Sequence, residues 1–149
     1  MKKFIFLAAF CALLNAAEIT PRCQRDDANE VVVCADKKLG NLMWQDGAKI
    51  AEATFEQAKD YCENLNFAGY AGWRLPNKAE ILSIADKSRY EPAIKKEFKY
   101  IAGVGASYWS GDKFEGDKNR AWIVVFKRGG DNWSELDKSN FVRCVRDHQ

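Results

Sequence analysis

Apolar residues in the middle of the chain recur at the spacing of an amphipathic helix. The helix is expected to begin at Thr54, because Thr54 and Gln57 occupy the two positions of a capping box, in which each side chain accepts a hydrogen bond from a free backbone N–H. Its apolar stripe falls at i, i+3, i+7 and i+10 and comprises Phe55, Ala58, Cys62 and Leu65. The pattern therefore predicts one helix here, which ends before Gly69.

Two more helices are predicted further along the chain. Pro76 imposes an extended backbone on Leu75. Asn77 can then cap a second helix, with Glu80 as its capping-box partner. Pro92 suits the first turn of a short third helix. The apolar residues spaced to pack in that third helix are Ile94, Phe98 and Ile101.

Strand signals lie on both sides of these helices. The β-branched run over residues 31–35 predicts one strand, and residues 41–44 predict a second. After Gly103 the pattern changes to a period of two residues. This change predicts three further strands, over residues 108–110, 121–126 and 141–145. Helices followed by strands in one short chain predict the α+β class.

The first 17 residues have the pattern of a secretory signal peptide. A basic start precedes an apolar run of 11 residues, and small residues follow, with cleavage expected after Ala16 or Ala17. Cys11 raises the alternative of a lipoprotein, but Phe10 stands where that processing requires a small residue. We therefore expect an exported, periplasmic protein, with the cell surface or secretion as the alternative.

Composition limits the class of the remaining domain, residues 18–149. The chain has 149 residues, of which 47% are hydrophobic and 30% charged, and this suits one folded domain rather than a disordered protein. Removing Lys2 and Lys3 with the leader leaves 21 basic side chains against 21 acidic ones. A neutral domain has no overall attraction to nucleic acid, so no nucleic-acid partner is expected. No other segment is apolar for long enough to span a membrane.

The cysteines predict disulfides. Four remain after cleavage, and an even number in an oxidising compartment favours disulfides over metal or thiol chemistry. Four cysteines allow three pairings. Cys23 and Cys34, which are 11 residues apart, are close enough to close a local hairpin, and this would leave Cys62 for Cys144. No metal or cofactor is expected, because no C-x-x-C motif occurs and the one histidine, His148, lies at the C-terminus.

Several motifs, taken in order, resemble the Lcl C-terminal domain family of bacterial exported domains, typified by the C-terminal domain of the Lcl collagen-like adhesin. They extend over residues 31–146 and are Leu42–Asp46, Ala58–Leu65, Trp73–Asn77 with Glu80, Tyr108–Ser110, Ala121–Phe126 and Val142–Arg146. The resemblance implies a C-type-lectin-like fold, and it implies that Cys62 pairs with Cys144. The expected fold is thus α+β, with two to three helices packed on a twisted antiparallel sheet, long loops and disulfides.

Structural roles, rather than contacts with a ligand, are expected for seven residues of these motifs. They are Trp73, Arg74, Leu75, Pro76, Asn77, Glu80 and Trp109. Four tryptophans in strand or motif positions are expected in the core, namely Trp44, Trp73, Trp109 and Trp122. Strand alternation around Cys144 predicts that Arg146 makes a buried or rim ion pair.

The resemblance also implies a binding function. The adhesin domain is associated with binding glycosaminoglycans and host surfaces. We therefore expect an exported, non-enzymatic binding module that recognises a glycan or an envelope protein. The alternative is a structural subunit of a periplasmic or envelope protein assembly. The oligomeric state is not predicted from the sequence.

Two other kinds of chemistry are not expected. Trp-Arg-Leu-Pro also occurs in formylglycine-generating enzymes, but their chemistry needs a reactive cysteine near the chain end, where this chain has only Cys144. Calcium-dependent sugar binding uses a cage of carboxylate and amide oxygens. Glu91-Pro92-Ala93 lacks the amide oxygen, and Asp131-Asn132-Trp133 has the calcium-binding tripeptide in reverse order.

Trp133 is the candidate ligand-binding aromatic residue. It lies with Asp131 and Asn132 in a polar, glycine-rich stretch interpreted as a loop between the last two strands. An exposed tryptophan there can stack on a sugar ring or anchor a protein partner; the alternative is that Trp133 folds back and covers the sheet. Lys118 and Arg120, in the preceding loop, would attract sulfated or carboxylated glycans; the alternative is a solvated charged loop.

Overall fold

Two β-sheets and two short helices make up residues 22–149, the part of the chain that this computed structural model describes. The predicted signal peptide, residues 1–17, lies outside the described residues and stays a prediction. The helices are α1 (Phe55–Glu63) and α2 (Lys78–Ser83). The strands are β1 (Arg22–Asp26), β2 (Val31–Asp36), β3 (Gly40–Gln45), β4 (Ala51–Ala53), β5 (Ser107–Lys113), β6 (Arg120–Val125), β7 (Gly130–Glu135), β8 (Asn140–Val142) and β9 (Val145–Asp147).

The strands form two sheets in which chain order and spatial order differ. One sheet has four strands in the order β1-β2-β3-β9, and the other has five in the order β4-β8-β5-β6-β7. Neighbouring strands are antiparallel except for β5 and β8, which run parallel. The predicted α+β class is confirmed. Within residues 22–149 no helix has the length and apolar character needed to cross a membrane.

The prediction of one strand over residues 141–145 is wrong. The segment holds two short strands: β8 pairs with β4 and β5, whereas β9 pairs with β3 in the other sheet. Arg143 and Cys144 form the crossing between the sheets, and they are only 3% and 0% exposed. The end of the chain therefore joins the two sheets, and the strand pattern is interrupted where it does so.

Both predicted capping boxes are present. Thr54 and Gln57 cap α1, which buries Phe55, Ala58 and Cys62 on one face. Leu65, predicted in the same stripe, lies beyond the end of this helix and packs against the core from a loop.

Asn77 caps α2 in the same way. Its side chain accepts a hydrogen bond from the backbone N–H of Glu80 at 2.8 Å, and the Glu80 carboxylate accepts one from the Asn77 N–H at 2.9 Å. This local, reciprocal pattern satisfies backbone donors that a helix start leaves free.

The predicted third helix after Pro92 is wrong, because the backbone there bonds to neighbouring elements instead of to itself. The N–H of Ala93 donates to the Phe126 carbonyl at 2.6 Å, and that of Lys95 donates to the Ile84 carbonyl at 3.0 Å. A helix that begins at Pro92 would bond the Lys95 N–H within its own first turn, whereas here this N–H bonds outside the predicted helix. The apolar positions are still buried: Ile94 is 1% exposed. Residues 84–106 thus form a long irregular segment between α2 and β5.

Two hydrophobic clusters fill the interior, one on each side of the five-stranded sheet's central strands. Trp73 and Trp109 belong to the first cluster together with Cys62 and Cys144, and Trp44 belongs to the second. These three tryptophans are at most 2% exposed, as the sequence predicts. Two disulfides are present in the expected pairing: Cys23–Cys34 links the neighbouring strands β1 and β2, and Cys62–Cys144 links α1 to the end of the chain.

The Trp73–Asn77 motif connects β9 of the four-stranded sheet to α2. The Arg74 backbone exchanges hydrogen bonds of 2.9 Å with Val145 in β9. The Arg74 guanidinium pairs with the Glu80 carboxylate through contacts of 2.7 and 2.9 Å. A bidentate pair of this kind fixes orientation as well as distance. The motif residues therefore have structural contacts, as their sequence context predicts.

A buried carboxylate lies where the two sheets meet. Asp46 is 1% exposed and accepts a hydrogen bond from Arg143 at 2.6 Å. It also forms an ion pair with Arg25 of β1 and accepts the backbone N–H groups of Lys99 and Tyr100 at 2.8 and 3.3 Å. We call Asp46, Arg25 and Arg143 the Asp46 network. It connects β1, the end of β3, the irregular segment and the crossing before β9.

The expectation for Arg146 is wrong, since Arg143 is the arginine that forms the buried ion pair. The Nε of Arg146 donates to the Ala71 carbonyl at 3.0 Å, and its guanidinium lies 4.7 Å from the ring centre of Tyr70. Alternation along a single strand predicts the wrong residue because the strand is interrupted at Cys144.

We expect Asp46→Asn to lower the free energy of unfolding by about 3–5 kcal/mol, because it leaves the buried Arg143 without a carboxylate and leaves Arg25 with only Asp27. Urea denaturation measures this change. Asp60→Asn, on the exposed side of α1, is the matched control and should change stability by less than about 0.5 kcal/mol. Equal effects of the two substitutions would contradict the role assigned to the Asp46 network.

Removal of Cys62–Cys144 should destabilise the protein more than removal of Cys23–Cys34. The cysteines are separated by 82 and 11 residues, and closing loops of these lengths is worth about 4.5 and 2.8 kcal/mol in the chain-entropy model. Denaturation of the double variants Cys62→Ala/Cys144→Ala and Cys23→Ala/Cys34→Ala measures the difference. The opposite order of stability would count against this prediction.

Candidate functional site

An aromatic cluster lies on one face of the β6–β7 hairpin. Trp122 of β6 and Trp133 of β7 are directly opposite each other in the strand register. Phe114, in the turn before β6, has its ring centre 4.9 Å from that of Trp122 and 6.4 Å from that of Trp133. Trp133 is 39% exposed, and Trp122 and Phe114 are half-buried. We call these three residues the aromatic patch.

Two cations lie over the two indole rings. The Arg120 guanidinium is 3.7 Å from the ring centre of Trp133, and the Lys78 ammonium is 3.3 Å from that of Trp122. Contacts this close are favourable cation–π interactions. Lys78 is the first residue of α2, and this helix packs against β6. The core helix therefore places one of the two cations at the patch.

Asp131 completes the arrangement. Its carboxylate lies 2.6 Å from the Lys78 ammonium. The hydrogen bond from Lys78 holds the pKa of Asp131 below its usual value of 3.8. Asp131 lies two residues before Trp133, and in a strand this spacing puts both side chains on the same face. The site thus combines exposed aromatic surface, two cations and one carboxylate.

The structure brings together three of the five predicted ligand-binding residues: Trp133, Asp131 and Arg120. Asn132 alternates to the opposite face of β7, where its side-chain oxygen accepts the backbone N–H of Trp133 at 2.8 Å. Lys118 is exposed in the turn before β6, and no ion pair found among residues 22–149 includes it. These two residues are therefore not part of the aromatic patch.

The interpretation of residues 128–134 as a loop is wrong, because β7 covers Gly130–Glu135. Strand prediction fails here since β7 is a polar strand that pairs only with β6 at the edge of its sheet. Trp122 is also not a core residue, contrary to expectation; it is half-buried beside Trp133. The period of two could not have revealed this, since it puts Trp122 on the same face of β6 as Val124, which is fully buried.

A groove of about 380 Å³ adjoins the patch, because Arg120, which lies over the ring of Trp133, also lines the groove. Its wall carries three carboxylates, from Asp117, Glu135 and Asp137. Arg120 Nε lies 3.4 Å from the Asp117 carboxylate, so the guanidinium is held between the groove and the ring of Trp133. Among residues 22–149 no group of three or more His, Cys, Asp or Glu side chains is arranged to hold a metal ion.

The α+β fold, the two disulfides and the exposed aromatic patch are together typical of an extracellular binding domain. A sequence model of the Lcl C-terminal domain family matches residues 33–146, which is most of the chain. The protein therefore belongs to the Lcl C-terminal domain family, and the resemblance found from its motifs is confirmed. No curated protein matches the sequence significantly. Family membership supports an extracellular binding domain without identifying what is bound.

Lys78→Met is expected to raise the pKa of Asp131 toward its usual value of 3.8, because the hydrogen-bonding ammonium is removed. A pKa lowered by folding stabilises the folded state above the usual pKa, and this contribution is lost as the pH falls through the lowered value. NMR titration of the Asp131 carboxyl carbon measures the shift. Lys138→Met, whose lysine pairs with Glu135 and Asp137 instead, should leave the Asp131 pKa unchanged.

Proposed function

We propose that the protein is an exported, non-enzymatic binding module that recognises a glycan at the cell envelope or surface through the aromatic patch. The observation that carries this proposal is the cross-strand pair of Trp122 and Trp133 on an accessible sheet face. Aromatic rings beside polar groups offer an apolar surface that is rigid and costs little conformational entropy to present. A sugar ring has a matching apolar face and hydroxyl groups at its rim.

The two cations at the patch offer contacts to a glycan with acidic substituents, which would compete for them with Asp131 and Asp117. Arg120 and Lys78 already lie over the two indole rings. A carboxylate or sulfate on the sugar would pair with these cations while the sugar ring contacts the remaining indole surface. Lys78 would then exchange part of its contact with Asp131 for one with the ligand.

The proposal includes a C-type-lectin-like fold. Two helices, mostly antiparallel sheets and the long irregular segment over residues 84–106 support it. The two disulfides support export, since disulfides persist in oxidising compartments. Cleavage of residues 1–17 and a periplasmic location belong to the same proposal.

The non-enzymatic part of the proposal is supported by the state of Cys144. This cysteine is 0% exposed and bonded to Cys62, so its sulfur is not a free thiol. Oxidase chemistry of the formylglycine-generating type requires a reactive cysteine, and Cys144 is the residue that the sequence places in that position.

A second candidate function is that of a subunit in an envelope protein assembly. Tyr90 and Val104, in the irregular segment, are 59% and 43% exposed. Val104 lines an open groove together with Pro92, Phe98 and Ile101, and contiguous apolar surface of this kind is typical of protein contacts. Purification of the tagged protein from native envelopes distinguishes the two functions, because a single stoichiometric protein partner would favour the subunit.

Trp133→Ala and Trp122→Ala are each expected to weaken binding to an acidic glycan by about 10-fold or more, as tryptophans at binding hot spots do. Glycan-array screening of the protein identifies the ligand, and calorimetry with that glycan measures the loss. Tyr90→Ala removes an exposed aromatic ring outside the patch and is the matched control.

The proposed glycan site would be disproved by an array profile that both tryptophan substitutions leave unchanged in correctly folded protein. Binding should also persist in EDTA, because the sequence lacks the calcium-binding tripeptides. Loss of binding in EDTA would show that a metal ion takes part.

A further inference from the structure

A second cavity lies between β1 and the irregular segment that follows α2. Its volume is about 640 Å³, which is within the range of small-molecule sites. Four cationic side chains line it: Arg22, Arg89, Lys95 and Lys96. Two carboxylates, Asp86 and Glu97, also face it. We call this space the basic cavity; it has no residue in common with the aromatic patch.

The four cations of the basic cavity form no close ion pairs, although Asp36, Glu97 and Asp86 attract Lys95 from a longer distance. None of them takes part in an ion pair of 4.0 Å or less found in the described chain, residues 22–149. Asp86 accepts hydrogen bonds from the N–H and hydroxyl of Ser88, at 3.0 and 2.6 Å, instead of pairing with a lysine. The lining of the cavity therefore carries four cations against two carboxylates, in a domain whose total charge is zero.

Lys95 is the most informative of the four. It is half-buried, and burial lowers the pKa of its ammonium. A partly desolvated cation without a paired anion is unfavourable for folding. An anion entering the cavity would offset this unfavourable charge, so the domain has a physical reason to bind one there.

The walls of the basic cavity are held in place before any ligand arrives. On one side, Arg89 donates a hydrogen bond to the Ile94 carbonyl at 2.7 Å, and the backbone of Lys95 is bonded to Ile84. On the other side, Cys23 is bonded to Cys34, which ties β1 to β2. Arg25 of β1 also donates to the Glu97 carbonyl at 3.4 Å. A preorganised site loses less conformational entropy on binding.

We propose that the basic cavity is a second binding site, for a small organic anion that carries two or more carboxylate or phosphate groups. The excess of two positive charges matches a ligand with at least two negative groups. Arginine pairs with either kind of group through parallel hydrogen bonds, and lysine supplies a point charge. The site stands independently of the glycan proposal.

Calorimetry with citrate, pyrophosphate and inorganic phosphate tests this proposal, on the protein without residues 1–17 and at physiological salt. Citrate and pyrophosphate should bind saturably, and more tightly than phosphate with its single anionic group. Tighter binding of citrate than of pyrophosphate would indicate that the site recognises carboxylate groups, and the reverse order would indicate phosphate groups. Lys95→Gln should weaken binding about 10-fold, since charge-assisted hydrogen bonds are lost. Lys37→Gln, an exposed lysine in the β2–β3 turn, should leave it unchanged.

Two results would overturn the proposal. One is the absence of saturable binding of both multivalent anions up to about 10 mM, which is weaker than most specific sites. The other is equal weakening by Lys37→Gln and Lys95→Gln, which would show nonspecific charge attraction. The exposed residue Lys96 provides a second variant, Lys96→Gln, if Lys95→Gln does not fold. Trp133→Ala should retain anion binding, so failure of the glycan site and of this site are distinguishable.

Discussion

Burial of the Asp46 carboxylate is the constraint on which the rest of the structure depends. A charged group with 1% of its surface exposed is tolerated only when its hydrogen-bonding capacity is filled. Asp46 meets this condition because it pairs with Arg25 and Arg143 and accepts hydrogen bonds from two backbone N–H groups of the irregular segment. Asp46 and these partners come from four separate stretches of the chain. The ends of both sheets and the long segment after α2 therefore have fixed positions relative to one another.

The tryptophans divide into two sets with different physical roles. Trp44, Trp73 and Trp109 are at most 2% exposed and fill the core. Trp122 and Trp133 stand on an edge hairpin, where protein cations cover part of their surface. The core tryptophans have no surface that a ligand could reach. The edge gives the second set a rigid support with one face left to solvent, and this difference is why binding is assigned to the hairpin.

Features with local causes could be predicted from the sequence. The capping boxes at Thr54 and Asn77 depend on residues three positions apart, and both are present. Features set by distant partners could not be predicted. The backbone at Ala93 bonds to Phe126 instead of forming a helix, and Arg143 becomes the buried arginine because the chain changes sheets there. The aromatic patch was predicted in part, since pairing across β6 and β7 brings Trp122 to Trp133 while alternation removes Asn132.

The position of Cys144 also sets an order of events during folding. Within residues 143–147 lie the partner of Cys62, the arginine that neutralises Asp46 and the strand that pairs with β3. Synthesis proceeds from the N-terminus, so the chain can complete neither its core disulfide nor its buried ion pair until residues 143–147 are available. The two sheets and the helix that carries Cys62 therefore reach their final arrangement only when residues 143–147 have joined them.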